Sequence, residues 1–270
     1  MRRGLILLAV GAVVAVAGIV AIREVGRGYR TTRGFRVERF TLRSRLVGRD
    51  LHEVLVVPRS GGRGRPLLVF LHGRSSSASS NLSQPLFDEL HRLGARAPVV
   101  FLPDGGDHSY WHDRQDGRWG AYVLREAIPE ALRRTRADVR RVAIGGISMG
   151  GFGALDLARL APGRFCAVGA HGAALWTSGG ETPAGAFDDA GDFARHDLIG
   201  LARTRMLTDA PVWIDVGRAD PFVRADTTLA DELRARGEQV AFHLHGGGHG
   251  GFAGRMPEYL RWYAERLARC

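Results

Sequence analysis

From residue 36 onward, short continuous apolar runs alternate with stretches in which apolar residues recur every three or four positions. Continuous runs fit strands buried on both faces, and the three-to-four spacing fits helices with one buried side. The alternation therefore predicts an α/β domain, a mainly parallel central sheet with helices on both faces. Phe35 to Val47 and Leu51 to Val57 read as an opening strand pair. Leu67 to Leu71, ending in His72-Gly73, and Val99 to Leu102, ending in Pro103-Asp104-Gly105, read as buried strands that emerge into loops. Arg141 to Gly145, Phe165 to Ala170, Pro211 to Val216 and Gln239 to Leu244 supply further strands. Helices are predicted over Gly120 to Arg134, with a kink at Pro129, and over Met149 to Leu160, Thr227 to Arg236 and Pro257 to Ala268. In the last of these, Leu260, Tyr263 and Leu267 share one face.

The N-terminus has a different pattern. Arg2 and Arg3 precede an uncharged stretch from Leu5 to Ile22, which as a helix would rise about 27 Å, close to the hydrocarbon thickness of a bilayer. Residues 1–22 are expected to be a signal anchor, or a signal peptide cut after the small-x-small pattern Ala15-Val16-Ala17. The anchor is the favoured reading, because the apolar run continues through Ile19, Val20 and Ile22. Residues 23–35, polar and rich in Arg, read as a linker, and 36–270 as one catalytic domain. The expected location is a membrane surface with the domain outside the cytoplasm, or secretion if the segment is cleaved.

The chain has 270 residues and a formal net charge of +10, which raises the question of nucleic acid. Much of the excess lies in residues 1–36, where seven Arg face one Glu. In the rest the signs are interspersed, as on an ordinary solvated surface, so no nucleic-acid partner is expected. Two cysteines are too few for a disulfide framework or a Cys-based metal site. Cys166, inside an apolar run, is expected to be a buried free thiol rather than bridged to the terminal Cys270.

The candidate chemistry lies at Gly146-Ile147-Ser148-Met149-Gly150, which fits G-x-S-x-G between the run Val142-Ala143-Ile144 and a helical pattern. That setting displays a serine nucleophile on a sharp strand-to-helix turn. With 37 glycines in the chain the pattern alone is weak, and an inert serine in a Gly-rich turn is the plain alternative. A serine hydroxyl needs a base and an orienting acid, which in this fold follow in the order Ser, acid, His. Asp220 stands just after a strand, whereas its competitor Asp215 lies within the strand run. His249, in Gly247-Gly248-His249-Gly250-Gly251, occupies an uncluttered loop, while His243 and His245 fall on the preceding strand. The backbone N–H of Met149 and that of Arg74, or of Gly73, are the candidate oxyanion donors. His72 reads as a satisfied buried histidine. Tyr110, Trp111 and His112 in the loop 107–114, with His171 and Trp176, are candidates to line a substrate pocket. The long connection 171–210 is a candidate cap. This chemistry requires no metal and no organic cofactor.

From about residue 50 to the C-terminus the chain resembles the esterase family of the α/β-hydrolase fold that includes esterase D and the antigen 85 mycolyltransferases. The resemblance rests on Leu71-His72-Gly73, Pro103-Asp104-Gly105, Trp119-Gly120 with Glu126 to Pro129, Gly146 to Gly151, Asp220 and Gly248-His249-Gly250. It implies an α/β-hydrolase fold, a Ser148, Asp220 and His249 triad, an oxyanion hole at the Arg74 and Met149 amides, and a small-molecule or lipid ester substrate. Relatives often carry a Trp shortly after the histidine, where this chain has Gly251-Phe252. Hydrolysis by a serine esterase is the expected activity. Acyl transfer to a lipid or sugar alcohol, and an inactive hydrolase scaffold used for binding, are the alternatives.

Overall fold

Leu67, Val69 and Leu71 pack into one apolar cluster and Leu68 and Phe70 into another, all of them buried. Successive side chains of a strand point to opposite faces, so this strand lies inside a sheet covered on both sides. In the computed structural model, which describes residues 28–270, that sheet has eight strands. They are β1 (Phe35–Arg43), β2 (Asp50–Pro58), β3 (Leu67–Leu71), β4 (Val99–Leu102), β7 (Val142–Ile147), β8 (Val168–His171), β9 (Val212–Gly217) and β10 (Val240–His245), in the order β1-β2-β4-β3-β7-β8-β9-β10. A separate small hairpin is formed by β5 (Asp113–Arg114) and β6 (Gly117–Arg118). β2 pairs antiparallel with both β1 and β4, and every other pairing in the sheet is parallel.

Helices α1 (Gln84–Leu93) and α8 (Phe252–Arg269) cover one face through Leu86, Phe87, Leu90, Tyr259, Leu260 and Tyr263. The other face carries α2 (Trp119–Tyr122), α3 (Ile128–Thr135), α4 (Met149–Leu160), the short α5 (Ala190–His196) and α6 (Leu198–Ala202), and α7 (Val223–Ala235). Between α2 and α3 the backbone widens into a π turn over Val123–Ala127. This is the break expected at Pro129, which lacks the N–H that would bond the carbonyl four residues earlier.

The register brings the C-terminal ends of the parallel strands to one rim. Leu71 pairs with Gly146, Ile147 with His171, His171 with Asp215, and His245 with Gly217. The loops that follow, beginning at His72, Ser148, Gly172, Arg218 and Gly246, therefore open side by side. Such a rim is where ligands bind in open α/β sheets.

Residues 84–93 carry α1, a helix absent from the predicted elements. Three expectations change. α8 begins five residues earlier than Pro257, which sits inside the helix at the cost of one backbone hydrogen bond. Residues 29–33, read as linker, dock on α1: the Tyr29 ring lies 4.6 Å from Phe87, and Arg33 pairs with Asp88 at 2.9 Å. Cys166 is not a free thiol but is bridged to Cys270, with Cα atoms 5.8 Å apart. The terminus does not fray because the apolar face of α8 is buried as far as Leu267, which delivers Cys270 to the segment entering β8. The expected anchor or signal segment at 5–22 lies outside the described residues. Among the described residues, no helix is long and apolar enough to cross a membrane.

Candidate active site

Ser148 occupies the single residue between β7 and α4, with φ +55° and ψ −118°, a strained conformation for a residue with a side chain. Glycines make the turn possible. A Cβ on Gly146 would stand 2.6 Å from the Gly150 backbone, and one on Gly150 would stand 2.3 Å from the Leu71 carbonyl oxygen. The Ser148 N–H donates to the His171 carbonyl at 2.9 Å, and its own carbonyl accepts from Gly151 and Ala174 at 2.9 and 3.0 Å. The turn is thus fixed by backbone hydrogen bonds on both sides, and the hydroxyl is left for other partners.

His249 meets that hydroxyl. Its Nε2 lies 2.9 Å from Ser148 Oγ and its Nδ1 lies 2.8 Å from Asp220 Oδ2. The other Asp220 oxygen accepts the Phe222 N–H at 2.9 Å, which fixes the carboxylate plane. Asp220 is buried, while the His249 side chain is 29% exposed, so the imidazole faces the rim and its anchor does not. The acid and histidine loops are held together by the Ala219 N–H to Gly247 carbonyl bond, 2.9 Å. This closeness requires glycine at 217, where a Cβ would stand 2.5 Å from the Gly247 oxygen. An imidazole so placed can take the serine proton, and the buried carboxylate can steady the cation that results.

Among the described residues, the Met149 and Arg74 amides have no hydrogen-bonding partner. Met149 opens α4, where first-turn N–H groups point out of the helix, and Gly73 lets the second loop pass close to the serine, since a Cβ there would stand 3.4 Å from Ser148 Cβ. His72 pins this loop. With Gly73 O at 2.8 Å from Nδ1 and the Gly105 N–H donating to Nε2 at 3.0 Å, the ring is fixed as the neutral Nδ1–H tautomer. Burial also lowers its pKa.

The five pocket candidates separate. Trp176 lines an open cavity of about 370 Å³ with Leu175, Phe222, Glu181 and Arg224, and the Phe222 ring is 5.2 Å from His249. The other four are buried and do not line it. Tyr110 packs on Trp176, with ring centroids 5.5 Å apart. Trp111 donates from Nε1 to the His72 carbonyl at 3.2 Å and lies against Gly105 and Gly153. The His112 ring faces Asp192. His171 points along the sheet into the core, with Nδ1 on Asp215 at 2.5 Å and Nε2 on Tyr263 Oη at 3.0 Å. Only its backbone touches the serine turn.

Asp215, the competing acid, is occupied elsewhere. Besides His171 it accepts from Tyr259 Oη at 2.8 Å and Trp213 Nε1 at 2.9 Å. Burial alone would raise its pKa, but His171 and these donors outweigh burial and hold it below the usual carboxylate range. Asp226 on α7, unnoticed in the sequence, is fully buried and has no hydrogen-bonding partner among the described residues. Burial first, then repulsion from Asp220 and Asp215, push its pKa well above the usual carboxylate range.

The Esterase family profile matches residues 44–268 of the chain. The chain belongs to the Esterase family. This Esterase-family chain is 31% identical over 122 residues to Esterase Rv1288 of Mycobacterium tuberculosis, a match covering 42% of the chain and about a quarter, 26%, of that protein. It is 27% identical over 251 residues to the diacylglycerol acyltransferase/mycolyltransferase Ag85A of Mycobacterium leprae, covering 87% and 71% of the two chains. With the S-formylglutathione hydrolase of Paracoccus denitrificans it shares 30% identity over 194 residues, covering 67% and 66%. Among solved structures, an S-formylglutathione hydrolase from Agrobacterium tumefaciens matches with a TM-score of 0.72 at 20% identity, over 88% of this chain and 98% of that one. Mycobacterium tuberculosis MPT51 matches with a TM-score of 0.65 at 18% identity, over 86% and 98%. The fold of this family member is α/β-hydrolase-like with a mostly parallel central sheet.

Proposed function

We propose that this chain is a serine esterase that works through an acyl-enzyme. His249 Nε2 takes the Ser148 proton as Oγ attacks an ester carbonyl, the Met149 and Arg74 amides receive the oxyanion, and His249 returns the proton to the departing alcohol. Water, activated by the same imidazole, then releases the acid. Asp220 holds the Nδ1–H tautomer and stabilises the imidazolium. The observation that carries the reading is the unbroken line of contacts, Oγ to Nε2 at 2.9 Å and Nδ1 to Oδ2 at 2.8 Å. Membership of the Esterase family supports it. Part of the substrate lies in the cavity beside Phe222, whose apolar side is Leu175 and Trp176 and whose charged side is Glu181 and Arg224.

Burst kinetics on the full chain with p-nitrophenyl esters of increasing acyl length test the proposal. The expected result is a Ser148-dependent burst and a loss of kcat on the order of 10⁴ to 10⁶ in Ser148→Ala and His249→Ala. Full turnover by folded Ser148→Ala would refute it. Failure of every ester, with Ser148 also inert to an active-serine probe, would favour the inactive binding scaffold.

Acyl transfer is the second reading, favoured by similarity to a named acyltransferase over 87% of the chain. Partitioning of the acyl group between water and an added sugar or lipid alcohol separates the two. The location we propose is extracytoplasmic, through the apolar segment 5–22. The Cys166–Cys270 bridge supports it, because disulfides persist in oxidising compartments. A reporter fused after residue 270 that is active only in the cytoplasm would contradict this location.

A further inference from the structure

A second set of chemistry-bearing side chains lies away from Ser148. His112 in the loop after β4, and Asp192 and His196 one turn apart on α5, are all buried. One ligand atom from each lies within 4.8 Å of the other two. We propose that these three residues bind a divalent transition cation of the zinc type, which fastens the 171–210 connection to the loop after β4 and to α4.

The spacing suits a small tetrahedral ion. Nitrogen and oxygen ligands about 2.0–2.1 Å from zinc stand about 3.3 Å from one another. His112 Nε2 is 3.1 Å from Asp192 Oδ2, and His196 Nε2 is 3.7 Å from Asp192 Oδ1. Two imidazoles and one carboxylate are a zinc-type donor set, whereas calcium and magnesium take oxygen ligands.

The surrounding hydrogen bonds fix which nitrogen is offered. Asp156 on α4 receives Arg159 Nε and Nη2 on Oδ1, at 3.0 and 2.6 Å, and is therefore a carboxylate. His196 Nδ1, 2.8 Å from Asp156 Oδ2, must then be the donor. Its Nε2 faces Asp192 Oδ1 at 3.7 Å, beyond hydrogen-bonding distance, and in the neutral ring presents a lone pair there. Asp192 is itself held as an acceptor by the Asp188 N–H at 2.9 Å and Arg195 Nη2 at 3.2 Å. With the ring neutral, its lone pair and the carboxylate face each other across a gap that a cation can fill. An imidazole that donates its far N–H to a carboxylate while presenting its near nitrogen is the arrangement that orients metal-bound histidines. His112 Nε2 lies 3.1 Å from Asp192 Oδ2, which accepts, so the ring is an Nε2–H donor to Asp192, and its buried Nδ1 has no hydrogen-bonding partner among the described residues. An ion bound at Nε2 would displace that proton to Nδ1. The His196 side chain, 10% exposed, gives the ion a way in and a place for a water as fourth ligand.

The consequence of binding is a fastened cap. His112 stacks on Phe187, Phe187 packs on Trp176, and Trp176 packs on Phe222 at the cavity, with centroids 5.0, 5.9 and 5.8 Å apart. The ion would hold one end of this aromatic row.

The test uses the full chain without a histidine tag, stripped with a chelator and titrated with Zn²⁺ against a competing chromogenic chelator, and with Co²⁺ read by visible absorption. The expected result is one ion per chain, a tetrahedral Co²⁺ spectrum, and a higher melting temperature with metal. Affinity should fall about 100-fold or more in His196→Gln and in His112→Gln, and remain unchanged in the control His91→Gln. If one ligand variant does not fold, the other carries the comparison. Folded wild-type chain that binds neither ion overturns the proposal. Equal binding by wild type and both ligand variants overturns it as well.

Discussion

Breaking the Cys166–Cys270 bridge should remove much of the stability of this chain and little of its catalysis. The two cysteines are 104 residues apart in sequence. In the chain-entropy treatment, closing a loop of that length lowers the entropy of the unfolded chain by an amount worth about 4.7 kcal/mol at 25 °C. For a domain of this size each kcal/mol shifts the melting temperature by roughly 2–4 °C, so the full effect corresponds to about 10–20 °C. The bridge joins the residue two before β8 to the end of α8, at the opposite edge of the sheet from the rim that carries Ser148, His171 and His249. The Cys166→Ser/Cys270→Ser variant should therefore melt at least about 8 °C below wild type, while kcat/KM at 25 °C stays within about twofold. Urea midpoints and ester turnover on the same preparations make the comparison. A stability loss below about 1 kcal/mol, or two titratable thiols in the unreduced denatured chain, would refute the argument. So would a fall in kcat/KM comparable to that of a triad variant.

The two candidate acids should respond differently to amide substitution. Asp220→Asn should keep the fold and lose about 10³ to 10⁴ in kcat, as expected for an imidazole held in the wrong tautomer, whereas Asp215→Asn should cost about 2–4 kcal/mol of stability through the His171, Tyr259 and Trp213 contacts and leave turnover within about tenfold. Kinetics paired with urea melts decide between them, and the opposite assignment would sink the triad. Burial raises the pKa of Glu53 on β2 to about 8 against hydrogen bonds from Tyr122 and the Asp104 N–H. The folded chain thus holds a proton that the unfolded chain releases near pH 4.5, so this group's contribution to stability should fall between about pH 4.5 and 8, by at most about 1.4 kcal/mol per pH unit. Glu53→Gln should flatten that slope in melts across the range, and an unchanged slope would contradict the assignment. Replacing Asp226, a buried carboxyl with neither oxygen hydrogen-bonded among the described residues, by Leu should stabilise the chain by about 1–3 kcal/mol in urea melts, and a destabilised variant would show that its oxygens have partners.

Much of the fold was legible because buried parallel strands are written as continuous apolar runs, and β3, β4, β7, β9 and β10 each lie within a residue or two of such a run. Helix α1 is written in the sequence as well. Ser83 caps it by accepting the Leu86 N–H, Pro85 stands in its first turn, and Leu86, Leu90 and Leu93 repeat at helical spacing. Ser148, Asp220 and His249 could be singled out because each follows a strand end, and parallel register gathers strand ends on one rim. Side-chain direction at those ends was not readable. His171 ends β8 beside the serine turn, yet its ring turns inward because Asp215, Tyr259 and Tyr263 surround it from β9 and α8. Trp111 and His112 look like pocket residues in a loop sequence, but Gly105, Gly153 and Asp192 provide buried places that no local pattern announces. The disulfide and the His112, Asp192 and His196 cluster depend in the same way on elements far apart in sequence.

The central claim is that Ser148 is the nucleophile, and intact-mass spectrometry after treatment with a fluorophosphonate tests it most directly. The folded wild-type chain should gain one phosphonyl group, located on Ser148 by peptide mapping, at a rate that falls at least about 10³-fold in His249→Ala. Ser148→Ala should gain none. Modification of another residue at an undiminished rate in Ser148→Ala, or no modification of the folded wild-type chain, would contradict the account.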